Sequence, residues 1–325
     1  MIEIQDAKLF FEIQSKFERI PFTQSEAWYN YSQAKGESIV FFVDDENDTQ
    51  IAFWGRKKKL PFFSKHILLV DTPLLKPNLT ERTIRKRFLS MIEYNYIGFE
   101  IDSISEYDVE YEVGLRRAGF LRPLGFSKCP LSIEMDLTQQ FNYDSNWKRN
   151  VKQAKSLNIT INEVKNPTSH DAQIFCDIFN ETKRNKELSY SFKNKEIFSL
   201  INSHSISLFI AQDRNNKIVS SQIFYSTNKY CYSILRANST SSRNNNASYL
   251  LYNDIFETLS KSNYKTYDFG RIPPSNHSTD SVYVFKNASR GRKIQYNGEW
   301  VFYKKKWVEY LMFVYKQFVL RKQRY

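Results

Sequence analysis

A lysine at the end of an unusual segment is the residue of this chain best placed to do chemistry. Residues 264–286 read YKTYDFGRIPPSNHSTDSVYVFK, which predicts a buried strand over 266–269, a turn at Gly270, a polar loop and an aromatic segment that ends in Lys286. Glycine suits the turn, and the two prolines exclude helix from the loop. A lysine delivered there can meet an anion, or an oxyanion that develops during a reaction. The alternative is a surface lysine at the start of a helix.

An aspartate stands where another strand is expected to end. Asp102 follows the apolar segment 97–101, and the ligands of open α/β sheets collect at strand ends. A carboxylate in this position could accept or orient a proton. An aspartate that only forms a turn at the strand end is the alternative.

Basic residues crowd one short helix, which we predict over residues 146–155. They are Lys148, Arg149, Lys152 and Lys155. Three of them share one helix face at i, i+4 and i+7 spacing. A stripe of this kind suits phosphate groups, either of tRNA or of a sugar diphosphate. A solvated helix face without a ligand is the alternative.

The order of the predicted elements supplies a scaffold for these residues. Residues 1–138 predict an α/β unit with a hairpin over 38–56, followed by alternating helices and strands. Residues 139–325 repeat that order around a hairpin over 207–225. We therefore predict an α/β (α+β) protein with two domains, each built on a mixed central sheet that helices flank.

Six ordered segments of the chain resemble the Fem-type (FemABX) peptidyltransferases. The most specific is YDFG followed by a polar loop and DSVYVFK. The others are PFTQSEAW at 21–28, WKRNVKQAKSLNITI at 147–161, KIVSSQIFY at 217–225, NASYLLYNDIFE at 246–257 and YNGEW at 296–300. Members of this family are non-ribosomal aminoacyltransferases that extend peptidoglycan side chains from aminoacyl-tRNA. They consist of two acetyltransferase-like (GNAT-like) domains, which implies tandem domains of that kind here.

The resemblance implies an enzyme that forms an amide between an activated aminoacyl group and an amine on a cell-envelope precursor. Lys286 matches the family's lysine after the identical Tyr-Val-Phe, and it would stabilise the tetrahedral oxyanion, an effect typically worth about 3 kcal/mol. Asp102 matches an aspartate that would accept or orient the proton of the attacking amine. Phe285 would lie beneath the site or against the terminal adenosine of the donor, and Tyr283 would be a further substrate contact.

The segments that would hold the acceptor depart from the family. After Trp28, the family's first basic position is occupied by Ser32, with Lys35 only nearby. Lys193 stands where the family has arginine, and Ile197 stands where an aromatic residue is expected. The tryptophan and the two lysines are the candidate acceptor contacts. A lipid-linked precursor, or a different amino sugar of an envelope glycan, becomes an alternative acceptor.

Residues 243–248, RNNNAS, stand where acetyltransferases carry an Arg/Gln-x-x-Gly-x-Gly/Ala turn for the pyrophosphate of coenzyme A. Arg243 is present as a candidate substrate contact, but both glycines, whose bare backbone lets N–H groups approach the phosphates, are missing. Asparagine also adopts left-handed backbone angles, so such a loop could still form. The segment argues against acetyl-CoA. An acyl-CoA-dependent N-acyltransferase for an envelope or capsular amino sugar stays an alternative.

The charge of the chain favours a polyanionic partner. The 325 residues include 47 basic and 35 acidic side chains, a net charge of +12, which suits nucleic acid, a nucleotide diphosphate sugar or an acidic membrane surface. A non-catalytic basic module that binds nucleic acid or membrane is therefore a second alternative. A helix predicted over 304–324 has basic flanks around an aromatic face, which suits peripheral contact with the inner leaflet. A terminal helix packed on its domain explains the same pattern.

Cysteine and histidine usage bears on compartment and cofactors. The three cysteines lie far apart in or beside apolar segments, which predicts reduced packing residues of a cytoplasmic protein. The four histidines show no ligand spacing, so we predict no metal and no other cofactor. The sequence also predicts no signal peptide and no membrane span.

Overall fold

Two compact units make up the fold. Unit 1 consists of Met1–Pro130 and Ile294–Arg324, and unit 2 consists of Leu131–Lys293. The residues that the computed structural model describes are 1–60, 65–186, 190–272, 274 and 281–320. The chain thus leaves unit 1 and returns to it after residue 293.

Unit 1 is built on a mixed sheet. Its strands are β1 (Ile2–Ile4), β2 (Ile39–Val43), β3 (Ile51–Lys59), β4 (His66–Asp71), β5 (Leu74–Leu75), β6 (Gly98–Glu106) and, late in the chain, β13 (Arg292–Tyr303). They follow the order β1-β2-β3-β4-β6-β13, with β5 beside β3. Strands β4 and β6 run parallel, and the other pairs are antiparallel.

The helices of unit 1 begin where the sequence provides capping side chains. They are α1 (Ala7–Gln14), α2 (Glu26–Ala34), α3 (Glu81–Ile92), α4 (Val109–Arg117) and α11 (Lys306–Val314). The first four begin after residues whose side chains accept a backbone N–H of the first turn, namely Asp6, Ser25, Thr80 and Asp108. Such caps satisfy donors that have no partner within the helix.

The late strand β13 belongs to the core of unit 1. Trp300 of β13 pairs with Ile101 of β6 and is fully buried. Its ring packs in a cluster with Phe88 of α3 and Tyr111 of α4. For this reason residues 294–324 lie in unit 1, whereas the predicted domain bounds of 1–138 and 139–325 assign them to the second domain.

Unit 2 is built on a second mixed sheet. Its strands are β7 (Leu131–Asp136), β8 (Thr160–Glu163), β9 (Ile206–Gln212), β10 (Ile218–Thr227), β11 (Tyr230–Asn238) and β12 (Thr266–Arg271). They follow the order β7-β12-β11-β10-β9-β8. Strands β11 and β12 run parallel, and the other pairs are antiparallel.

Helices cover the sheet of unit 2 and enclose an aromatic core. They are α5 (Ser145–Ser156), α6 (Ser169–Lys186), α7 (Asn194–Ile201), α8 (Thr240–Asn244), α9 (Ala247–Lys261) and α10 (Ser281–Asn287). Trp147 of α5, Phe256 of α9 and Phe285 of α10 meet in this core. Aromatic side chains bury large areas, so this cluster ties the three helices together.

The structure agrees with the predicted hairpins and differs at the end of the chain. Strands β2 and β3 form one hairpin, and β9 and β10 form the other. The predicted helix over 304–324 begins only at Lys306, because β13 continues to Tyr303, and after Val314 it becomes a π-helix over Tyr315–Leu320. Residues 321–324 of that prediction, and 273 and 275–280 of the polar loop, lie outside the described residues. Within the described part of the chain, none of the helices has the length and apolar character of a bilayer span.

Candidate functional site

Lys286 lies in the last turn of α10, and its side chain is buried, with 7% of the residue exposed. Its Nζ donates hydrogen bonds to the carbonyl oxygens of Phe269 at 2.7 Å, Gly270 at 3.0 Å and Arg271 at 2.9 Å. Three backbone carbonyl oxygens thus fix the position of the ammonium group, which can donate up to three hydrogen bonds. The alternative of a surface lysine at the start of a helix is therefore wrong, because the amine is held inside unit 2 at the end of β12.

A buried aspartate holds the same turn. Asp268 and Ser132 are almost fully buried, at 1% and 0% exposure. Ser132 Oγ lies 2.5 Å from Asp268 Oδ1 and 2.8 Å from the carbonyl oxygen of Gly270, whose own N–H donates to Asp268 Oδ1 at 2.8 Å. Gly270 has a φ of +73°, which glycine tolerates without strain. We call Ser132, Asp268, Gly270 and Lys286 the lysine network.

The aromatic residues before Lys286 differ in burial. Phe285 is 7% exposed, and its ring stacks on Trp147 with the centroids 5.2 Å apart. Tyr283 is only half-buried, with the ammonium of Lys293 5.7 Å from its ring centroid. Phe285 is thus a core side chain that supports α10, whereas Tyr283 keeps an accessible ring.

Three carboxylates stand side by side on adjacent strands of unit 1. In the register of the sheet, Asp102 of β6 pairs with Asp71 of β4 on one side and with Glu299 of β13 on the other. The Lys128 ammonium lies 2.5 Å from Asp102 Oδ2 and 3.9 Å from Glu299 Oε1. The backbone N–H of Lys128 donates to Glu299 Oε2 at 2.8 Å. We call Asp71, Asp102, Glu299 and Lys128 the carboxylate row.

The position of Asp102 within its strand differs from the prediction. Strand β6 continues to Glu106, so Asp102 lies in mid-strand rather than at the strand end. Pairing with β13 extends the strand, because β13 supplies a partner for the polar residues that follow Asp102. The aspartate is therefore part of a cluster and does not form a turn.

The environment of the carboxylate row shifts the pKa values of Glu299 and Lys128. Burial raises the pKa of Glu299 above its ordinary value of 4.5, and the negative charge of Asp102 raises it further, while Lys128 opposes the shift. Burial is the largest single influence on Lys128 and lowers its pKa, but the charges of Asp102, Asp71 and Glu299, with the hydrogen bond to Asp102, together raise it overall. Glu299 therefore holds a proton more readily than an exposed glutamate does, beside an ammonium that stays charged.

A chain of ion pairs leads from the row to α2. Arg56 of β3 pairs with Asp71, whose charge raises the pKa of that arginine, and Arg56 Nη1 lies 3.3 Å from Glu37 Oε1. The ammonium of Lys35, at the end of α2, lies 3.5 Å from the same glutamate oxygen. Alternating charges therefore connect Lys35 to the carboxylate row within unit 1.

Trp28 and Lys35 flank one buried tyrosine on α2. The half-buried Trp28 ring stacks on Tyr31 with the centroids 4.6 Å apart and meets Phe22 edge-on at 5.2 Å. The Lys35 ammonium lies 5.4 Å from the Tyr31 centroid. Ser32, the residue at the family's basic position, is buried, so it offers no accessible contact to a diphosphate.

The glutamine of the PFTQSEAW segment has a structural role. Gln24 is fully buried, and its Nε2 donates to the carbonyl oxygens of Trp54 at 3.1 Å and Asp71 at 2.5 Å. Its Oε1 accepts the backbone N–H of Trp54 at 2.8 Å. The side chain thus ties the turn before α2 to β3 and β4, beside the carboxylate row.

The basic residues of α5 face solvent. The exposed side chains include Lys148, Arg149, Lys152 and Lys155. The opposite face of the helix is buried through Trp147, Asn150 and Ala154. Gln153 Oε1 accepts a hydrogen bond from Asn246 Nδ2 at 2.9 Å, so the basic helix borders the start of α9.

The segment compared with a coenzyme A loop adopts a different form. Residues 240–244 form the short helix α8, on which Arg243 is exposed. Asn246 then takes a φ of +57°, so the left-handed asparagine that the sequence allows is present. The first N–H of α9, that of Ala247, already donates to Asn245 Oδ1 at 3.2 Å.

Lys193 immediately precedes α7 and is exposed. Its backbone N–H donates to Glu196 Oε2 at 3.1 Å, which leaves the side chain outside the helix. Ile197 is fully buried. The position at which the family carries an aromatic residue is therefore a core position in this chain.

Folding brings in several polar residues that the sequence analysis missed. Asp268 and Glu299 stood in segments that it singled out, YDFG and YNGEW. Asp71 ends the apolar segment HILLVD, which is the signal that singled out Asp102. Lys128 lies in a loop and carries no local signal, because it reaches the carboxylate row only through the fold.

Comparison with known proteins identifies the fold. No family model matches the sequence, and no curated protein matches it. The crystal structure of FemX superposes with a TM-score of 0.76 and 11% identity, covering 96% of this chain and 100% of that one. The structure of L-PGS from Bacillus licheniformis covers 98% of both chains, with a TM-score of 0.65 and 11% identity. A tandem GNAT protein from the clavulanic acid biosynthesis pathway covers 91% of this chain and 93% of its own, with a TM-score of 0.53 and 10% identity.

The chain has the Fem-type fold. This fold of tandem GNAT-like domains confirms the predicted α/β class, and it confirms at the level of the fold the resemblance carried by the six segments. Within the Fem-type fold of this chain, the described residues include no group of three His, Cys, Asp or Glu side chains arranged to hold a metal ion.

Proposed function

We propose that this chain is an acyltransferase of the Fem family. It transfers the aminoacyl group of an aminoacyl-tRNA from its ester to an amine of a cell-envelope precursor. The observation that carries the proposal is the buried Lys286 ammonium, held by three carbonyl oxygens at the end of β12. It occupies the motif position at which the family's lysine meets the oxyanion. The Fem-type fold over 96% of the chain supports this assignment.

The reaction makes distinct demands on the protein. The amine attacks the ester carbonyl, a C–N bond forms, and the carbonyl oxygen becomes an oxyanion. When the intermediate collapses, the C–O bond of the ester breaks, and the proton lost by the amine ends on the ribose oxygen that leaves. The reaction therefore requires a cation near the oxyanion and a group that accepts the amine proton.

Lys286 meets the first demand. Its three carbonyl partners fix Nζ before the substrate arrives, so little reorganisation is needed when negative charge develops. Asp268 and Ser132 act as positioning residues, because they hold the turn at Gly270 whose carbonyl binds the lysine.

The carboxylate row meets the second demand. Asp102 and Glu299 are neighbours in the sheet and share the Lys128 ammonium. Because burial raises the pKa of Glu299, one carboxyl of the pair can carry a proton while the other stays ionised. In the proposed reaction Asp102 accepts or orients the amine proton, and Glu299 with Lys128 sets the charge around it.

Substrate binding is assigned in the same proposal. Trp28 and Lys35 border the ion pairs that lead to the carboxylate row and contact the acceptor, with Lys193 as a further acceptor contact. Tyr283 and Arg243 contact the donor, and Phe285 packs beneath the site as part of the core that supports α10. The exposed face of α5 binds its phosphates through Lys148, Arg149, Lys152 and Lys155. Each compact unit serves as one GNAT-like domain.

Mass spectrometry of envelope precursors, from cells with and without this gene, tests the proposal. We expect a precursor that differs by the mass of one amino-acid residue. An acyl group that is not an amino acid, together with acyl-CoA retained by the purified chain, would replace the proposed donor. Unchanged precursors would contradict the acyltransferase and leave a non-catalytic binding module.

A purified system isolates the role of Lys286. With aminoacyl-tRNA and an acceptor amine, the Lys286→Met variant is expected to lose transfer by about 100-fold or more while it still binds the donor. Lys217→Met, which changes an exposed lysine on the β9–β10 turn of the same unit, is the matched control. Transfer at the normal rate by Lys286→Met would remove this lysine from the mechanism.

A further inference from the structure

The last helix of unit 1 exposes a large apolar face. The exposed fractions are 44% for Trp307, 70% for Tyr310, 38% for Leu311 and 63% for Phe318. The first three lie at i, i+3 and i+4 on α11 and therefore on one side of the helix. We call these four residues the aromatic face. Single exposed apolar residues are common, but a contiguous group of large ones indicates a contact surface.

The aromatic face is not required to hold the helix in place. On the other side of α11, Val308 and Met312 are buried in a small core with Leu60 and Ile67. One turn later Lys316 is buried, and its Nζ lies 3.1 Å from Glu100 Oε2. The helix is thus anchored on its inner side, and it presents the aromatic side chains in a fixed arrangement.

Loop residues extend the same surface. Leu124 is 58% exposed, and the residue after it, Gly125, packs so tightly on α11 that a Cβ there would lie 2.8 Å from the ring of Phe313. The ring of Phe313 in turn lies 6.5 Å from that of Tyr310, measured between centroids. The apolar surface therefore continues from the helix onto the loop within unit 1.

Basic residues border the aromatic face at the start of the helix. Lys304, Lys305 and Lys306 are consecutive and exposed. Behind them, on strand β3, the Lys58 ammonium lies 4.7 Å from the Tyr315 ring centroid. The first turn of α11 also carries one acidic residue, the half-buried Glu309, so positive charge prevails at this end of the surface.

We propose that the aromatic face, with Lys304, Lys305 and Lys306, docks on the surface of an anionic lipid bilayer. Tryptophan and tyrosine side chains suit the boundary between headgroups and acyl chains, because they have an apolar body and a polar end. The adjacent lysines meet the acidic headgroups, and the two attractions combine. A second copy of the chain fits less well, because two such surfaces would bring their lysines together. The docking is independent of the transfer reaction.

Sedimentation of the full chain with lipid vesicles tests the proposal. We expect binding to vesicles of phosphatidylcholine mixed with phosphatidylglycerol, weaker binding as salt increases, and little binding to phosphatidylcholine alone. Lys305→Glu with Lys306→Glu should lower the partition coefficient by about 25-fold or more, since each lysine near an acidic surface contributes roughly fivefold. Tyr310→Ser with Leu311→Ser should lower it by at least about tenfold.

Matched controls use exposed residues of unit 2. Arg214→Glu with Lys217→Glu on the β9–β10 turn, and Tyr190→Ser, should partition like the wild type. Near-ultraviolet circular dichroism checks that each variant is folded. Equal partitioning of wild type and both surface variants would overturn the proposal. A dimer in sedimentation velocity that Tyr310→Ser with Leu311→Ser dissociates, without vesicle binding, would instead identify a second copy as the occupant.

Discussion

Two lysine side chains in this protein make different contacts. The Nζ of Lys286 donates to the carbonyl oxygens of Phe269, Gly270 and Arg271, which fix its position at the end of β12. The Nζ of Lys128 pairs with Asp102 in the carboxylate row, and the pKa of Lys128 is raised. The first lysine is thus tied to one turn of the backbone, whereas the second belongs to a cluster of charged side chains.

Lys286→Met should also show how much this lysine contributes to the stability of the fold. The substitution removes one donor from each of the carbonyl oxygens of Phe269, Gly270 and Arg271. Gly270 keeps its contact with Ser132. We expect the free energy of unfolding to fall by about 2–3 kcal/mol, measured by urea denaturation. Lys217→Met, at an exposed position, should change it by less than about 0.5 kcal/mol. Equal stability of the two variants would mean that the three carbonyl contacts do not hold the turn.

Glu299 should contribute a recognisable pH dependence to stability. Burial raises its pKa in the folded protein above the ordinary 4.5, so between those two values the folded state binds more protons than the unfolded state. The free energy of unfolding therefore falls as pH rises through that window, and it keeps this loss at higher pH. We expect Glu299→Gln to lose this decrease, so that the variant gains relative to the wild type as pH rises above 4.5.

Urea unfolding at several pH values from about 4 to about 8 measures this difference. The exposed Glu46→Gln is the control and should follow the wild type throughout. Parallel curves for the wild type and Glu299→Gln would show that the buried carboxyl does not titrate in the window. The proposed division of proton between Asp102 and Glu299 would then fail.

At the scale of elements, helix α5 has one face buried in the core and one exposed basic face. Trp147 and Ala154 bury one face against the aromatic core of unit 2, while the basic residues remain outside. The hydrogen bond between Gln153 and Asn246 places the exposed face beside the start of α9. A rigid helix of this kind can present several cations to a phosphate backbone without any loss of packing.

Lys148→Ala with Lys152→Ala should weaken donor binding and its salt dependence together. Each lost phosphate contact is expected to reduce the slope of log affinity against log salt by about 0.7–0.9. Fluorescence anisotropy of labelled aminoacyl-tRNA over a salt series measures both quantities. The double variant Arg214→Ala with Lys217→Ala, on an exposed turn of the same unit, controls for net charge. The same loss of slope in both double variants would show that α5 provides only general charge.

At the scale of the whole molecule, an early and a late part of the chain together form unit 1. Residues 131–293 form unit 2, and the chain then returns so that β13 can pair with β6. Trp300 on β13 lies in the core of unit 1, where the guanidinium of Arg122 stacks 3.7 Å from its ring centroid. The last part of the sequence is therefore required for the first unit to be complete.

Two buried tryptophans make this dependence measurable. Trp300→Ala and Trp147→Ala each remove a fully buried indole, which should cost about 3–5 kcal/mol of stability. Hydrogen exchange should show lost protection in β4 and β6 for Trp300→Ala, and in β12 and α9 for Trp147→Ala. Each variant is the control of the other. Unchanged protection of β4 and β6 on Trp300→Ala would contradict the assignment of β13 to unit 1.

Local patterns predicted a good part of this fold. Alternating apolar residues flanked by turn residues marked both hairpins, because strand formation and tight turns depend on neighbours in sequence. The same reasoning ended the strand just before Asp102, whereas β6 continues to Glu106, since the residues after Asp102 carry little strand signal of their own. Their strand character comes from pairing with β13, whose residues lie far away along the chain.

By itself, the sequence determined the α/β class, the two hairpins and the choice of Lys286 as the candidate catalytic residue, because these rest on local periodicity and on a contiguous motif. Only the tertiary structure decided that three carbonyl oxygens hold that lysine, that Asp71, Asp102 and Glu299 stand in one row, and that β13 completes unit 1. These features depend on the register between strands that are distant in sequence, and register is set by the packing of the whole sheet.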